Sequence, residues 1–152
     1  MSRDPGPPPL EIHIDGASRG NPGEAGFGVY VSAPPEAEAR LYGYLGRATN
    51  NVAEYQALLH ALRHALARGA ERVRVFSDSE LVVRQIEGRY KVRHPDMQAL
   101  HREARALIAR LNGFEIRHVR REENREADRL ANQALDEKAS RLDNGGPGPD
   151  IR

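Results

Sequence analysis

Cysteine is absent from this 152-residue chain, which excludes a disulfide framework, a thiolate metal site and cysteine catalysis. No apolar run approaches ~18 residues, so the sequence predicts no membrane-spanning helix. The opening MSRDPGPPPL lacks the apolar stretch of a secretory signal, and the cytoplasm is the expected compartment. Excess charge of one sign is lacking too: the formal net charge is +1. The chain therefore does not coat nucleic acid by bulk positive charge, and any such binding falls to a local surface. Lysine occurs only at Lys91 and Lys138, the other cations being arginine. Arginine suits bidentate phosphate contacts, although a GC-rich genome produces the same excess.

What is present fits one globular domain with a core, in a length too short for two. Proline- and glycine-rich residues 1–9, and residues 141–152, predict disordered tails around a domain spanning 10–140. LEIHID alternates like a strand, GASRGNPGE reads as a turn-rich loop, and AGFGVYVS and RLYGYLG read as two further strands of an antiparallel meander. Leucines 58, 59, 62 and 66 recur at helical spacing from Asn50 to Arg68, with Gly69 placed to end the helix. RVRVFS is a strand; Ser77 and Glu80 fit a capping box, which predicts a helix from Asp78 to about Glu87. Residues 95–112 carry a helical apolar stripe, FEIRHV is a fifth strand, and a last helix runs from Glu123 to Ala139. The order βββαβααβα implies an α/β fold with a five-stranded mixed sheet, three antiparallel strands followed by two parallel ones, flanked by helices. Sites in such sheets sit at strand ends and adjacent helix starts.

Four acids fall near such places. Taken singly, each has an ordinary explanation. Asp15 precedes Gly16 as in a simple turn, Glu54 and Asp78 suit first turns of helices, and Asp128 suits a solvated helix beside arginines. Asp15 nevertheless shares strand parity with Glu11 and His13 near the end of a central strand, where an unpaired carboxylate is costly. As a set, four converging carboxylates would repel one another and raise their proton affinity. A divalent cation relieves that repulsion, and oxygen-only donors favour Mg²⁺ or Mn²⁺ over Zn²⁺. Two such ions ~4 Å apart suit in-line phosphoryl transfer. Spacing alone does not establish convergence.

Five phrases in order, IDGASRGNPGEAGFG, TNNVAEYQALLHAL, VFSDSELVVRQI, YKVRHPDMQAL and VRREENREADRLANQAL, make the chain resemble the type 1 ribonuclease H family over most of residues 12–135. The resemblance implies the ribonuclease H-like fold and an endonuclease that hydrolyses the RNA strand of RNA–DNA hybrids with two Mg²⁺ ions, Mn²⁺ being a substitute. Its products would carry 5′-phosphate and 3′-hydroxyl ends. It implies catalytic and metal-ligating roles for Asp15, Glu54, Asp78 and Asp128. It also implies substrate contacts at Gly16, Gly20, Asn21, Asn50, Asn51 and Ser79, although helix capping is an alternative role for Asn50. A monomer is expected.

Three departures stand out. The loop before the last helix, RREEN, has neither the histidine nor the glycine common in the family; His118 lies in a strand, and Arg120, Arg121 or Glu122 are its available substitutes. The lysine-rich protrusion is reduced to GRYKVRHPD, with Arg84, Arg89, Lys91 and Arg93 the available cluster. Glu80 stands where some relatives have a glutamine that contacts RNA. These departures admit double-stranded RNA as an additional substrate. The competing readings are a non-catalytic hybrid-binding module, against which the intact acids argue, and an exonuclease, integrase or resolvase relative, against which GNPG and NNVAEY argue.

Overall fold

The computed structural model describes residues 6–142. The predicted tail segments 1–5 and 143–152 lie outside them. Five strands form one sheet: β1 (Leu10–Gly20), β2 (Gly23–Ala33), β3 (Ala39–Ala48), β4 (Arg72–Ser77) and β5 (Gly113–His118), in the spatial order β3-β2-β1-β4-β5. The first three are antiparallel neighbours, while β4 joins β1 and β5 joins β4 in parallel. This is the expected mixed sheet, with central β1 serving as the seam between its two halves.

GASRG is strand rather than the expected loop. The β1–β2 ladder continues through Ala17↔Gly26 to Gly20↔Gly23, and the turn shrinks to Asn21 and Pro22. Gly20, at φ +95°, supplies the left-handed conformation that ends β1. Reading every glycine as turn punctuation hid the strand. Glycines in a ladder also admit close backbone approach.

Helix α1 (Asn50–Ala67) buries Tyr55, Leu58, Leu59 and Leu62 against β1 and β2. Each such side chain contributes roughly 1.5–3 kcal/mol of burial. Its cap is Thr49, whose side chain accepts from the Val52 N–H at 3.1 Å, so Asn50 is the first helical residue and not the cap. Helix α2 (Glu80–Ile86) starts two residues later than expected. Ser79 is its cap, accepting from Val82, while Ser77 Oγ accepts from the Ser79 N–H. The Ser77–Glu80 box is thus replaced by a serine pair, which leaves Asp78 outside the helix. Helix α3 (Pro95–Ile108) packs on α1 with Met97 and Ala104 buried.

Helix α4 (Arg125–Glu137) lies on the other face of the sheet, over β2, β1 and β3. Ala127, Leu130, Ala131, Ala134 and Leu135 form its buried face. Past α4, Arg141 exchanges both backbone hydrogen bonds with Tyr42 on the edge strand β3, at 2.8 and 2.9 Å. Arg141, beyond the expected boundary at residue 140, is thus paired with the sheet edge. Among the described residues no helix is long and apolar enough to cross a membrane.

Candidate active site

Strand β4 stops at Ser77, opposite Ile14 on β1. The next residues of the two strands are Asp78 and Asp15, so two carboxylates meet where the parallel pair ends. That is the customary position for a site in an α/β sheet. Asp15 is not a strand-terminal residue, because β1 continues past it, paired at this point with Gly28 of β2.

Glu54 arrives from α1 through Gly16. A Cβ on Gly16 would fall 2.4 Å from the Glu54 nitrogen, so only glycine lets the helix come this close. The Gly16 N–H donates to Glu54 Oε1 at 2.8 Å. Carboxylate oxygens of Asp15, Glu54 and Asp78 lie within 4.8 Å of one another, the first two acids being buried and the third half-buried.

Asp128 comes from the first turn of α4, which is seated by small residues. A Cβ on Gly28 would strike the Ala127 carbonyl at 2.2 Å, and one on Gly26 would press on Ala134 and the Ala131 carbonyl. The helix therefore rests on the backbone of β2, and Asp128 lines the same groove as Asp15, Glu54 and Asp78. Asn132 donates to the Asp128 carbonyl and to its Oδ1, and also accepts from Arg19.

The electrostatics are those of an uncompensated anionic cluster. Burial, followed by the charges of Glu54 and Asp78 and the contact with Asp128, pushes Asp15 far above the usual carboxylate range. Burial and Asp78 raise Glu54, with the Gly16 N–H pulling the other way. Asp78 is raised by burial, an effect opposed by its hydrogen bond with Asp15 and by the Arg121 guanidinium. Buried carboxylates that cannot all ionise are the setting a hard divalent cation stabilises, and the donor set, oxygen throughout, fits Mg²⁺ or Mn²⁺.

The acids floor an open groove of about 650 Å³, walled by β1 from Gly16 to Arg19, by Asn50, by Asn132 and by the segment His118–Glu122. Of the expected contact residues, Gly16 and Asn50 line this groove. Asn21 braces Asn50 by accepting its backbone N–H at 3.0 Å, and Gly20 forms the adjacent turn. Asn51 faces a neighbouring groove with Arg89, Tyr90, Lys91 and Arg93. Ser79 caps α2 outside the acidic groove. Arg84, grouped with this basic cluster by sequence, pairs with Glu80 and Glu87 instead. Sequence reasoning passed over Gly28, Arg19, Asn132 and Asn124. Asn124 was readable only as part of the ENREAD phrase, where an asparagine before a helix looks like a cap.

A family model described as reverse transcriptase-like matches residues 13–134. A bifunctional protein of Mycobacterium tuberculosis is 45% identical over 130 residues, 84% of this chain and 36% of that protein. The ribonuclease HI of Halobacterium salinarum is 43% identical over 129 residues, 84% of this chain and 65% of that protein. The chain thus spans about a third of the mycobacterial relative and just under two thirds of the archaeal one. The crystal structure of the Halobacterium salinarum RNase H1 superposes with a TM-score of 0.81 at 39% identity, over 86% of this chain and 99% of that one. LC11-RNase H1, isolated from compost by a metagenomic approach, was solved in complex with an RNA/DNA hybrid. It superposes with a TM-score of 0.80 at 36% identity, over 85% of this chain and 98% of that one.

Proposed function

Because the chain belongs to the ribonuclease H-like family, beside the type 1 enzymes, we propose that it is an endonuclease that hydrolyses the RNA strand of RNA–DNA hybrids at the Asp15–Glu54–Asp78–Asp128 cluster. The observation that supports this most is the meeting of three carboxylates within 4.8 Å, with a fourth brought in by α4, on the floor of an open groove. Such a floor suits a sugar–phosphate backbone passing over it. Binding alone has no use for clustered carboxylates facing phosphate.

Asp15 stands between the two halves of the cluster. Glu54 and Asp78 would hold one cation with it, and Asp128 would hold a second. Bound there, divalent ions would acidify a water and stabilise charge on the reacting phosphate, giving 5′-phosphate and 3′-hydroxyl ends. The chain's own part is orientation: the Gly16 N–H fixes Glu54, and Asn132 fixes Asp128. Gly20, Asn21 and Asn50 face the RNA strand in this reading, with a donor or acceptor directed at the 2′-hydroxyl that marks RNA. The groove of Asn51, Arg89, Lys91 and Arg93 takes the DNA strand. The enzyme acts as a cytoplasmic monomer, with double-stranded RNA as an additional substrate.

The test is incubation with labelled RNA–DNA hybrid, double-stranded RNA and single-stranded RNA, with Mg²⁺, Mn²⁺ or chelator. Metal-dependent cutting of the hybrid, abolished in Asp15→Asn, is the expected result. Binding of the hybrid without cutting under either metal would replace the nuclease with a binding module.

A further inference from the structure

An asparagine just before a helix is ordinarily a cap, its side-chain oxygen accepting an N–H of the first turn. Asn124 holds that place before α4, yet no hydrogen bond joins its side chain to the turn. The amide points across to β1 instead. Nδ2 donates to the Ile14 carbonyl at 2.8 Å, and Oδ1 meets His13 Nδ1 at 3.2 Å. The residue is 1% exposed. With its nitrogen directed at Ile14, the amide presents its oxygen to the ring, so His13 must supply an Nδ1–H. The ring is held by stacking on Phe76, with centroids 4.7 Å apart. The Asn124 carbonyl in turn accepts the Asp128 N–H at 3.1 Å. One buried side chain therefore grips β1 at the residue before Asp15, while its main chain holds the turn that bears Asp128.

We propose that Asn124 is a positioning residue of the site: it sets the register of α4 along β1, so that Asp128 stands against Asp15 and the two can share a cation. The proposal rests on the cation-dependent reading above. Gly28 sets how near α4 comes to the sheet, but a flat seat of small residues does not fix where along β1 the helix stops. The Asn124 amide does. Aspartate cannot replace it, because a carboxylate offers no hydrogen to the Ile14 carbonyl and adds a further negative charge beside the cluster.

The experiment is a double-mutant cycle read by Mn²⁺ calorimetry, with melting curves and hybrid cleavage alongside. The proteins are wild type, Asn124→Ala, Asp128→Asn and the double variant. Asn124→Ala is expected to weaken Mn²⁺ binding about tenfold, the usual loss when a side chain that orients a ligand is removed. It should lower kcat with KM for the hybrid little changed. In the Asp128→Asn background the same substitution should leave Mn²⁺ affinity within about twofold, because the effect passes through Asp128. Equal losses in both backgrounds, or wild-type affinity in Asn124→Ala with only a lower melting temperature, would overturn the proposal. If Asn124→Ala does not fold, Asn124→Ser replaces it in the cycle with the same criterion, since serine keeps a polar group but is too short to bridge to the Ile14 carbonyl. A wild type that binds Mn²⁺ but cuts no hybrid refutes the nuclease reading, while the cycle still decides the role of Asn124.

Discussion

Asp15 holds a proton more tightly in the folded chain than in the unfolded one, because it is buried among carboxylates. Glu54 behaves likewise. The sign of the linkage follows: for a raised folded pKa, stability is full below the unfolded value of about 4 and is lost as pH rises toward the folded one. In chelator, the melting temperature should therefore fall from pH 5 to pH 9. Mg²⁺ should flatten that decline by binding the ionised cluster. Asp15→Asn should melt about 3 °C or more above wild type at neutral pH without metal, corresponding to about 1 kcal/mol in a domain of this size, and should cut nothing. Melting curves across pH, with and without Mg²⁺, check both statements. At the far wall, His118 is an exposed residue at the end of β5, with no counterpart to the loop histidine common in the family. His118→Ala is expected to retain turnover within a few-fold, and a loss of activity with folding and metal affinity intact would assign it a role in proton transfer.

Helix starts carry the next set of consequences. Thr49 caps α1 while Asn50 lines the groove, so the two neighbours should separate cleanly. Thr49→Ala should cost about 1 kcal/mol of stability with hybrid affinity kept; Asn50→Ala should keep stability and weaken hybrid binding. Denaturant melts and fluorescence anisotropy read the two quantities. At α4, Gly28→Ala forces a methyl toward the Ala127 carbonyl and should cost about 1–3 kcal/mol or more by overpacking, with cleavage falling further than stability alone explains. The strand and helix order was legible in the sequence because hydrophobic alternation and helical spacing are local. The caps were misplaced by one or two residues because Ser77, Ser79, Thr49 and Asn50 are all chemically able to cap, and only the observed hydrogen bonds choose among them. The seat of α4 was not legible, since glycines in a strand signal nothing until the helix above them is known.

For the molecule as a whole, a net charge of +1 and a short basic segment in place of a protrusion limit how many phosphates can be neutralised. The logarithm of hybrid affinity should fall with the logarithm of salt with a slope of only about −3 to −5, at roughly 0.9 per phosphate contact. Anisotropy titrations from low to moderate KCl measure it, and a slope near −10 would reveal a larger contact surface. The mixed sheet was predictable from element order alone. The meeting of Asp15 with Glu54, Asp78 and Asp128 was not, because it depends on contacts between residues 39, 63 and 113 positions apart in the chain and was available only through the family's phrases.

The run of β1 past Ile14, where β4 has already ended, leaves a length of main chain beside the groove from Gly16 to Arg19. Peptide groups are the same whatever side chains they carry, so a surface made of them drifts little as the sequence evolves. It also reads no base identity, because peptide groups address sugars and phosphates. If hybrid is gripped there, cutting should be nearly indifferent to base sequence. Side-chain changes at Ala17 or Ser18 should then be far better tolerated than a proline, which removes an N–H and restrains the chain.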